Sequence, residues 1–295
     1  MKKILITGAS GFIGRNLKEG LENEFNVYAP SSKELDLLNT EKLKKYLKEH
    51  KFDVVIHAAT HNATRVSDKD LSQVFKNNLL MFFNLARLNS LYGRMFYFGS
   101  GAEYDKRYPI VKAREIDFDK RIPVDDYGFS KYIMAKYIKN VDNVYDLRLF
   151  GVFGKYEDWR IRFISNAICR VIYDMNITIS KNVYFDYLYM GDLIKIVKYF
   201  IDKKEIKHKE YNVCTGKKID LVTLGKKVKE LSKKKSEVRV AKEGLGKEYS
   251  GDNSRLLKEI GEFKFTPLDE SIRELYKWYF EKKIKLDKQE ITKYT

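Results

Sequence analysis

The sequence is poor in the residues that form disulfides and metal sites. Only two of its 295 residues are cysteines, Cys169 and Cys214, and no Cys-x-x-Cys pair occurs. We expect them to be buried thiols rather than disulfide partners or metal ligands. His57 and His61 are four residues apart, but His57 ends a predicted strand, so the two should not share a helical face as a zinc-binding pair would. No metal site is predicted.

Long hydrophobic runs are also absent. No apolar stretch approaches the roughly 20 residues that a membrane helix requires, and the apolar run at residues 4–6 is too short for a signal peptide. Low-complexity tracts are missing as well, while hydrophobic residues make up 44% of the chain, enough to bury a large core. We therefore expect a folded, soluble, cytoplasmic protein without a membrane partner.

The net charge of +16 is unusual and bears on possible partners. Nucleic-acid-binding proteins concentrate lysine and arginine in a patch. Here lysine pairs such as Lys44-Lys45 and Lys226-Lys227 are spread over polar helix faces and interspersed with acidic residues. A lysine-rich surface without a nucleic-acid partner is therefore the favoured interpretation, and nucleic-acid binding is the weaker alternative. A basic surface would also attract an anionic small substrate.

Short aliphatic runs alternate with helical patterns over the first half of the chain. Strands are predicted at residues 3–7, 25–29, 53–57, 95–98 and 144–150, and helices at residues 16–24, 40–49, 71–91 and 128–139. Alternation of this kind is typical of βαβ units. The sequence thus predicts an α/β protein with a doubly wound parallel sheet of the Rossmann type.

The pattern changes after Gly154. Further helices are predicted at residues 161–173, 192–201 and 269–283, and strand-like segments at residues 184–190 and 211–213. The lysine-rich remainder is expected to be mainly helical. We therefore predict a dinucleotide-binding domain at residues 1–160, to which residues 184–213 return, and a smaller, mainly helical substrate-binding cap at residues 161–295.

A glycine-rich turn follows the first predicted strand. Gly8, Gly11 and Gly14 are spaced by three residues and lie between a strand and a helix. In dinucleotide-binding folds such glycines permit a tight turn, a close approach of backbone N–H groups to the pyrophosphate, and close packing of helix on sheet. The helix N-terminus then stabilises the phosphate charge. The predicted cofactor contacts here are Gly8, Ser10, Gly11, Phe12, Ile13 and Gly14, with a purely structural turn as the alternative.

The end of the second predicted strand bears on the choice of cofactor. An acidic residue there would bind the ribose 2′-hydroxyl of NAD and repel the 2′-phosphate of NADP. This chain instead has Ser31, Ser32 and Lys33, two hydroxyls and a cation that suit a phosphate. NADP(H) is therefore favoured, while the nearby Glu34 keeps NAD(H) as the alternative.

A tyrosine and a lysine four residues apart share one helix face and can form a proton-transfer pair. In the pair Tyr127 and Lys131, the ammonium would stabilise the phenolate, so that the tyrosine can exchange a proton with a carbonyl or an alcohol. Other Tyr–Lys pairs have this spacing, but only Tyr127 begins a predicted helix downstream of a serine, Ser100, at the end of a strand. Ligands of such sheets bind beyond the carboxyl ends of the strands. Ser100, Tyr127 and Lys131 are therefore the predicted catalytic residues, unless Ser100 only caps a turn and Tyr127 only begins a helix.

Together these motifs resemble those of the extended short-chain dehydrogenases/reductases that act on nucleotide sugars. The resemblance covers roughly residues 1–225 and includes the segments 53–59, 148–154, 186–192 and 211–213. Within that family, residues 34–37 are most similar to the GDP-fucose synthase and dTDP-4-keto-rhamnose reductase branches. The resemblance implies a Rossmann domain, a nicotinamide cofactor and a nucleotide-sugar substrate.

The resemblance also implies roles for further residues. Cofactor contacts are implied for Asp36, Leu37, Ala58, Ala59, Asn78, Tyr127 and Lys131, the lysine also binding the nicotinamide ribose. Substrate contacts are implied for Ser100, Gly101, Ala102, Arg160 and Arg162. Asn77 is the alternative to Asn78, which would otherwise be an ordinary polar helix residue. A homodimer through the helices at 71–91 and 128–139 is implied as well.

The chain departs from the family pattern at several positions. Dehydratases of the family have Thr-Asp-Glu where this chain has Ser100-Gly101-Ala102, so dehydration is not expected. Epimerising GDP-fucose synthases have a cysteine and a histidine, and those positions correspond to Ala102 and, by a looser alignment, to Tyr173. An epimerising acid/base pair is therefore expected to be absent.

A further departure concerns the pyrophosphate of the substrate. The family often has an arginine at the position of Phe185, where it binds that group. Arg160, Arg162 or Arg170 would have to substitute for it.

These features favour NADPH-dependent reduction of the 4-keto group of a nucleotide-linked 6-deoxy sugar without epimerisation. Tyr127 would protonate the carbonyl oxygen, Lys131 would act electrostatically on Tyr127, and Ser100 would polarise the carbonyl. A 4-epimerase that retains NAD is the alternative within the family. A catalytically silent NADP(H)-binding protein is the alternative from another class.

Overall fold

The computed structural model describes residues 1–61, 66, 69–232, 236–282 and 288–293. The strands in these residues are β1 (Lys3–Thr7), β2 (Asn26–Tyr28), β3 (Val54–His57), β4 (Arg94–Ser100), β5 (Ile110–Ala113), β6 (Val144–Leu149), β7 (Gly151–Phe153), β8 (Ile177–Asn182), β9 (Tyr184–Tyr189), β10 (Glu210–Val213), β11 (Lys218–Asp220), β12 (Val238–Leu245) and β13 (Tyr249–Gly251). The helices are α1 (Phe12–Leu21), α2 (Thr40–His50), α3 (Val74–Ala86), α4 (Asp126–Ile138), α5 (Phe163–Ile172), α6 (Met190–Asp202), α7 (Leu221–Glu230), α8 (Ser254–Ile260), α9 (Leu268–Glu281) and α10 (Lys288–Lys293). Short 3₁₀ segments lie at Leu71–Gln73, Asn89–Leu91, Gly101–Tyr104 and Glu115–Asp117.

The central sheet contains six parallel strands in the order β2-β1-β3-β4-β6-β10. After β2 the chain crosses to the opposite side of β1 to form β3. The direction of winding therefore reverses between β1 and β3, which is the switch point at which ligands bind in open α/β sheets. Thr7 pairs with His57, and His57 with Tyr97, so the carboxyl ends of these strands are aligned.

Both faces of this sheet are covered by helices. On β1, the side chains of Ile4 and Ile6 pack with buried residues of α1 and α6, whereas Leu5 packs on the other face with α2, α3 and α4. Burial on both faces explains why the parallel strands have continuous aliphatic runs instead of alternating polar residues. The predicted doubly wound parallel sheet is confirmed.

A second layer is built from shorter strands. β11, β9, β13 and β5 form a sheet in that order, β7 pairs with β9, and β12 pairs with β8 in a separate ribbon. Beside it, α5, α7 and α9 enclose a core that includes Ile168, Leu224 and Ile272. The segment expected to be mainly helical therefore also contains strands. β12 is exposed along nearly its whole length and lacks an alternating apolar pattern, so the sequence did not indicate it.

The predicted helix near residues 269–283 corresponds to α9, and residue 283 lies outside the described residues. Within the described ranges, no helix has both the length and the apolar character needed to cross a membrane.

Candidate active site

A cavity of about 1220 Å³ opens at the carboxyl ends of the central strands, at the switch point between β1 and β3. One wall is formed by the turn after β1 and by residues that follow β2 and β3. The opposite wall is formed by residues of β9 and β13 and by the start of α5. Pockets for a single small ligand measure roughly 300–1,000 Å³, so this cavity has room for a cofactor and a substrate together.

The glycine turn fits a closely approaching ligand. Gly8 has a φ of +72°, and a Cβ atom there would lie 2.6 Å from the Cα of Ala59. A Cβ atom on Gly14 would overlap the carbonyl of Gly8, lying 2.7 Å from its carbon. The turn, α1 and the segment after β3 are thus in backbone contact, an arrangement that only glycine permits at these two positions.

The N-terminus of α1 has no side-chain cap. The helix begins at Phe12, four residues earlier than predicted, because the glycines that obscured the helical pattern belong to its start. Gly11 is the N-cap residue, so no side chain caps the helix by hydrogen bonding. The first helical turn contains no acidic residue. The free N–H groups of this turn therefore suit an anionic group such as a pyrophosphate.

The residues after β2 surround the adjacent end of the cavity. Ser32, Asp36 and Leu37 line it, whereas Ser31 is not part of its lining. The carboxylate of Glu34 instead accepts a hydrogen bond of 2.7 Å from the backbone N–H of Ser31, and this bond lowers the pKa of Glu34. The one acidic group that argued for NAD is therefore bound to its own turn and does not line the cavity.

The three predicted catalytic residues line the same cavity. Lys131 is buried, and its ammonium donates a hydrogen bond of 2.6 Å to the carbonyl oxygen of Phe98. The Lys131 Nζ lies 5.7 Å from the centre of the Tyr127 ring. Tyr127 belongs to the first turn of α4, where the carboxylate of Asp125 caps the helix by accepting from the N–H of Gly128 at 3.0 Å. This arrangement places a phenol and an ammonium beside the serine at the end of β4.

Ser100 is held by several hydrogen bonds. Its Oγ accepts from the N–H of Ala102 at 3.1 Å, and its own N–H donates to Glu103 Oε1 at 2.9 Å. The Ser100 Oγ also lies 3.4 Å from the hydroxyl of Tyr249 on β13. Sequence reasoning missed Tyr249, because a tyrosine 149 residues away in a three-residue strand gives no local signal.

A buried charged cluster lies beneath Ser100 and Lys131. Arg148 forms ion pairs with Glu103 and, at 2.9 Å, with Asp146, and all three side chains are fully buried. Burial raises the pKa of both carboxyls, while the Arg148 guanidinium opposes the rise. A Cβ atom on Gly99 would lie 2.5 Å from the Glu103 carboxylate, so glycine leaves the space that this cluster occupies.

His57 lies at the end of β3 and is also buried. Its Nδ1 is 2.8 Å from the hydroxyl of Thr7. Burial, assisted by the charge of Lys131, lowers the pKa of His57 to about 3, so its ring is neutral at physiological pH. The contact between His57 and Thr7 joins the carboxyl ends of β3 and β1.

The wall opposite the glycine turn combines cationic, acidic and aromatic groups. Of the three arginines proposed to replace the family arginine, only Arg162 lines the cavity, and Phe185 lines it as well. Arg160 is hydrogen-bonded to Asp158. Arg170 is buried and donates to Asn166. The guanidinium of Arg162 has no hydrogen-bonding partner among the described residues, so it is available for an anion.

Glu157 is a buried carboxyl group in this wall. Its Oε2 accepts a hydrogen bond of 2.7 Å from the hydroxyl of Ser165. Burial raises the pKa of Glu157 to about 7, while the hydrogen bond from Ser165 and the charge of Arg162 oppose the rise. This wall thus contains a carboxyl group whose pKa is raised by burial, and the sequence did not single it out.

The predicted site residues therefore fall into two groups. Those that line the cavity are Gly8, Ser10, Gly11, Phe12, Ile13, Gly14, Ser32, Asp36, Leu37, Ala58, Ala59, Ser100, Ala102, Tyr127, Lys131 and Arg162. Those outside its lining are Ser31, Lys33, Asn78, Gly101 and Arg160.

Two of the outer residues support the wall from behind. Asn78 is buried, and its Oδ1 accepts hydrogen bonds from Thr60 and from the N–H of His61, while Asn77 faces the cavity. Gly101 packs against Tyr249, since a Cβ atom there would lie 2.6 Å from the tyrosine hydroxyl. Both residues are therefore in contact with residues that line the cavity.

The two positions that correspond to the epimerising cysteine and histidine of the family lie apart from each other with respect to the cavity. Ala102 lines the cavity, whereas Tyr173 lies at the end of α5 outside its lining. Among the described residues, no group of three or more His, Cys, Asp or Glu side chains could hold a metal ion.

A Rossmann-type sheet with a glycine turn and a large cavity at its switch point defines a dinucleotide-dependent enzyme. The sequence matches the NAD dependent epimerase/dehydratase family over residues 4–214, and the chain belongs to that family. It is an NAD(P)-dependent oxidoreductase-type enzyme of the extended short-chain dehydrogenase/reductase kind, and the resemblance seen in its motifs is confirmed.

Individual relatives are distant. A GDP-6-deoxy-D-talose 4-dehydrogenase of Aggregatibacter actinomycetemcomitans is 26% identical over 297 residues, which cover 93% of this chain and 97% of the relative. A GDP-L-colitose synthase of Yersinia pseudotuberculosis is 25% identical over 237 residues, which cover 72% of this chain and 77% of the relative. The crystal structure of a UDP-glucose 4-epimerase from Thermotoga maritima matches with a TM-score of 0.80 at 19% identity, covering 96% of this chain and 100% of that one, and so shares the fold.

Proposed function

We propose that this protein is an NADPH-dependent reductase of the 4-keto group of a nucleotide-linked 6-deoxy sugar. The observation that carries the proposal is the convergence of Ser100, Tyr127 and Lys131 on the cavity that also contains the glycine turn. A hydroxyl, a phenol and an ammonium at one place suit proton transfer to a carbonyl oxygen. NADPH, when bound along the glycine turn, supplies the hydride.

Each of the three residues has a separate task. Ser100 donates its hydroxyl hydrogen to the carbonyl oxygen and polarises the C=O bond. Tyr127 transfers its phenolic proton to the same oxygen as the alcohol forms. Lys131, held on Phe98, stabilises the phenolate left on Tyr127 by its positive charge. Because Lys131 is buried, its charge acts on Tyr127 with less screening than a surface lysine would have.

The opposite wall suits a nucleotide-linked substrate. Arg162 offers a guanidinium to the diphosphate, and guanidinium groups bind phosphates through two parallel hydrogen bonds. Phe185 and Tyr187 present aromatic rings to the same space. Two relatives have names that refer to GDP-linked sugars, a colitose and a 6-deoxytalose, and this favours GDP as the first nucleotide to test.

The second-strand turn supports NADP(H) over NAD(H). Ser32 lines the cavity, and the exposed ammonium of Lys33 has no hydrogen-bonding partner among the described residues. The Glu34 carboxylate, which would repel a 2′-phosphate, is hydrogen-bonded to the backbone of Ser31. A 2′-phosphate at this turn would therefore meet the Ser32 hydroxyl, and the exposed Lys33 ammonium, which lies outside the lining, can turn towards it. The Asp36 carboxylate also lines the cavity and accepts a hydrogen bond from the N–H of Leu38.

A homodimer is part of the same proposal. Leu71 and Leu80, before and within α3, are 62% and 41% exposed, which provides apolar surface on one of the two helices expected at the interface. Sedimentation or light scattering of the purified chain tests this directly, and a monomer at micromolar concentration would contradict it.

The function is tested by mixing purified protein with NADPH and GDP-, dTDP-, UDP- and CDP-linked 4-keto-6-deoxy sugars while NADPH absorbance is followed. We expect absorbance to fall with one nucleotide series and Tyr127→Phe to abolish the fall. Copurified NAD(H), together with 4-epimerisation of a nucleotide sugar without added cofactor, would instead identify an epimerase. Binding of NADP(H) without turnover in either assay would identify a catalytically silent protein.

A further inference from the structure

Tyr249 is positioned beside the reaction centre by β13, at the far end of the chain. Its backbone pairs with Ile110 of β5 and with Phe185 of β9. Its ring lies 5.3 Å from that of Phe150 and 6.0 Å from that of Phe185. Two neighbouring strands and two aromatic rings therefore fix the direction in which the hydroxyl points. The side chain lines the cavity.

The space for this hydroxyl depends on Gly101. A Cβ atom at that position would lie 2.6 Å from the Tyr249 hydroxyl oxygen and 2.8 Å from the adjacent ring carbon. The φ of Gly101 is not in the left-handed region, so glycine is not required here for backbone conformation. Glycine is required at this position because a larger residue would prevent Tyr249 from approaching Ser100.

The Ser100 hydroxyl has one hydrogen-bonding position that Tyr249 can occupy. A serine hydroxyl has one hydrogen to donate and two lone pairs to accept with. One lone pair of Ser100 accepts from the N–H of Ala102, and the Tyr249 hydroxyl lies 3.4 Å away, within reach of the other. Glu103 binds the Ser100 N–H and so restrains the serine backbone. If both lone pairs are occupied, the serine hydrogen is the only group left to point into the cavity.

We propose that Tyr249 is a positioning residue: it donates its hydroxyl hydrogen to Ser100 Oγ, so that the serine hydrogen is directed to the carbonyl oxygen of the substrate. The inference rests on the role of Ser100 in the proposed function. Burial raises the pKa of Tyr249, so the phenol remains protonated and can donate. The 3.4 Å separation is long for a hydrogen bond between hydroxyl groups, so the bond is weak, but it is already present without substrate.

The proposal is tested with a double-mutant cycle of wild type, Ser100→Ala, Tyr249→Phe and the double variant. The rate is measured with NADPH and a GDP-linked 4-keto-6-deoxy sugar. We expect Tyr249→Phe to lower kcat by about 3- to 10-fold, the effect of one hydrogen bond, without changing KM for NADPH. The double variant should be no slower than Ser100→Ala, because Tyr249 acts only through the serine.

A second cycle measures the free energies of unfolding in urea for the same four proteins without substrate. We expect them to be non-additive, because each single change removes the same bond. Tyr211→Phe is the matched control, since Tyr211 is a buried strand tyrosine that donates to Glu259 away from the cavity. It should lower stability and leave kcat unchanged.

The outcomes separate this inference from the proposed function. A Ser100→Ala variant with wild-type turnover contradicts the role of the serine, and the urea cycle still decides whether the two hydroxyls interact. Slow turnover by Ser100→Ala, combined with a normal rate in Tyr249→Phe or with fully additive rates, overturns the inference alone. Additive unfolding free energies overturn it in either case.

Discussion

The ammonium of Lys131 is hydrogen-bonded at 2.6 Å to the carbonyl oxygen of Phe98. The bond joins the second turn of α4 to the end of β4, two residues before Ser100. A lysine restrained in this way presents its charge to Tyr127 from a fixed position, and a flexible surface lysine could not do so.

Lys131→Met should lower kcat by about 10²–10⁴-fold, because it removes the charge that stabilises the Tyr127 phenolate. It should also reduce stability, since the buried carbonyl of Phe98 loses its donor. The matched control is Lys136→Met on the same helix, where the ammonium pairs with Asp119 at the surface. The kcat values of the two variants are measured by steady-state kinetics. A Lys131→Met enzyme with a kcat close to that of the control would exclude the proposed role.

Gly14→Ala should weaken NADPH binding by at least about tenfold while the protein remains folded. The added Cβ atom would overlap the carbonyl of Gly8 and displace the turn that is expected to hold the pyrophosphate. In Gly20→Ala, the control on the same helix, the new atom would come within 2.8 Å of the Ile194 side chain, so this variant measures the effect of crowding on α1 away from the turn. NADPH fluorescence titration with circular dichroism provides the comparison. Equal affinities for the two variants would show that the turn does not hold the cofactor.

Lys33→Glu should reverse part of the cofactor preference. We expect KM for NADPH to rise by about tenfold and KM for NADH to stay near its wild-type value, because only NADPH carries the 2′-phosphate. Lys45→Glu makes the same charge change on α2, where the lysine faces solvent. It should leave both KM values unchanged. If Lys33→Glu changed the KM values for NADPH and NADH equally, Lys33 would not interact with the 2′-phosphate.

Glu157→Gln should change how stability depends on pH. Because burial raises the pKa of Glu157 from 4.5 to about 7, the folded protein binds more protons than the unfolded chain between these values. Stability contributed by this group is therefore present below about pH 4.5 and is lost as pH rises towards 7. The glutamine still accepts a hydrogen bond from Ser165 but carries no charge. The free energy of unfolding of Glu157→Gln, relative to wild type, should therefore be higher at pH 8 than at pH 5 by up to about 3 kcal/mol.

Urea unfolding at the two pH values measures this difference. Glu262→Gln, a change at an exposed carboxyl, is the control and should have the same effect at both. A difference for Glu157→Gln no larger than that of the control would mean that the buried carboxyl has an ordinary pKa.

The central sheet and the glycine turn were predictable because their determinants are local. The run at residues 3–7 and the glycines at 8, 11 and 14 specify a buried strand and a dinucleotide turn within a dozen residues. Ser100, Tyr127 and Lys131 were predicted as a catalytic set from their positions relative to predicted strand and helix ends, and the structure places them in the lining of one cavity. Their common placement in one cavity agrees with the sequence pattern.

The substrate side of the cavity was not predictable in the same way. Tyr249 reaches Ser100 through the pairing of β13 with β5 and β9, which no local pattern encodes. Glu157 gives no local signal either, because its pKa is raised by burial, which exists only in the folded protein. Sequence reasoning could not choose among Arg160, Arg162 and Arg170, because the fold of the turn before α5 and the orientation of that helix decide which side chain faces the cavity.

The pairing of β13 with β5 also determines when, during synthesis, the enzyme becomes complete. Tyr249 is made 149 residues after Ser100, which at about 5–20 residues per second is a delay of roughly 7–30 s on the ribosome. By then all six central strands have left the peptidyl-transferase centre, and the glycine turn can form before the serine acquires its neighbour. A chain released before residue 249 would leave the facing edges of β5 and β9 unpaired, and unpaired strand edges invite aggregation.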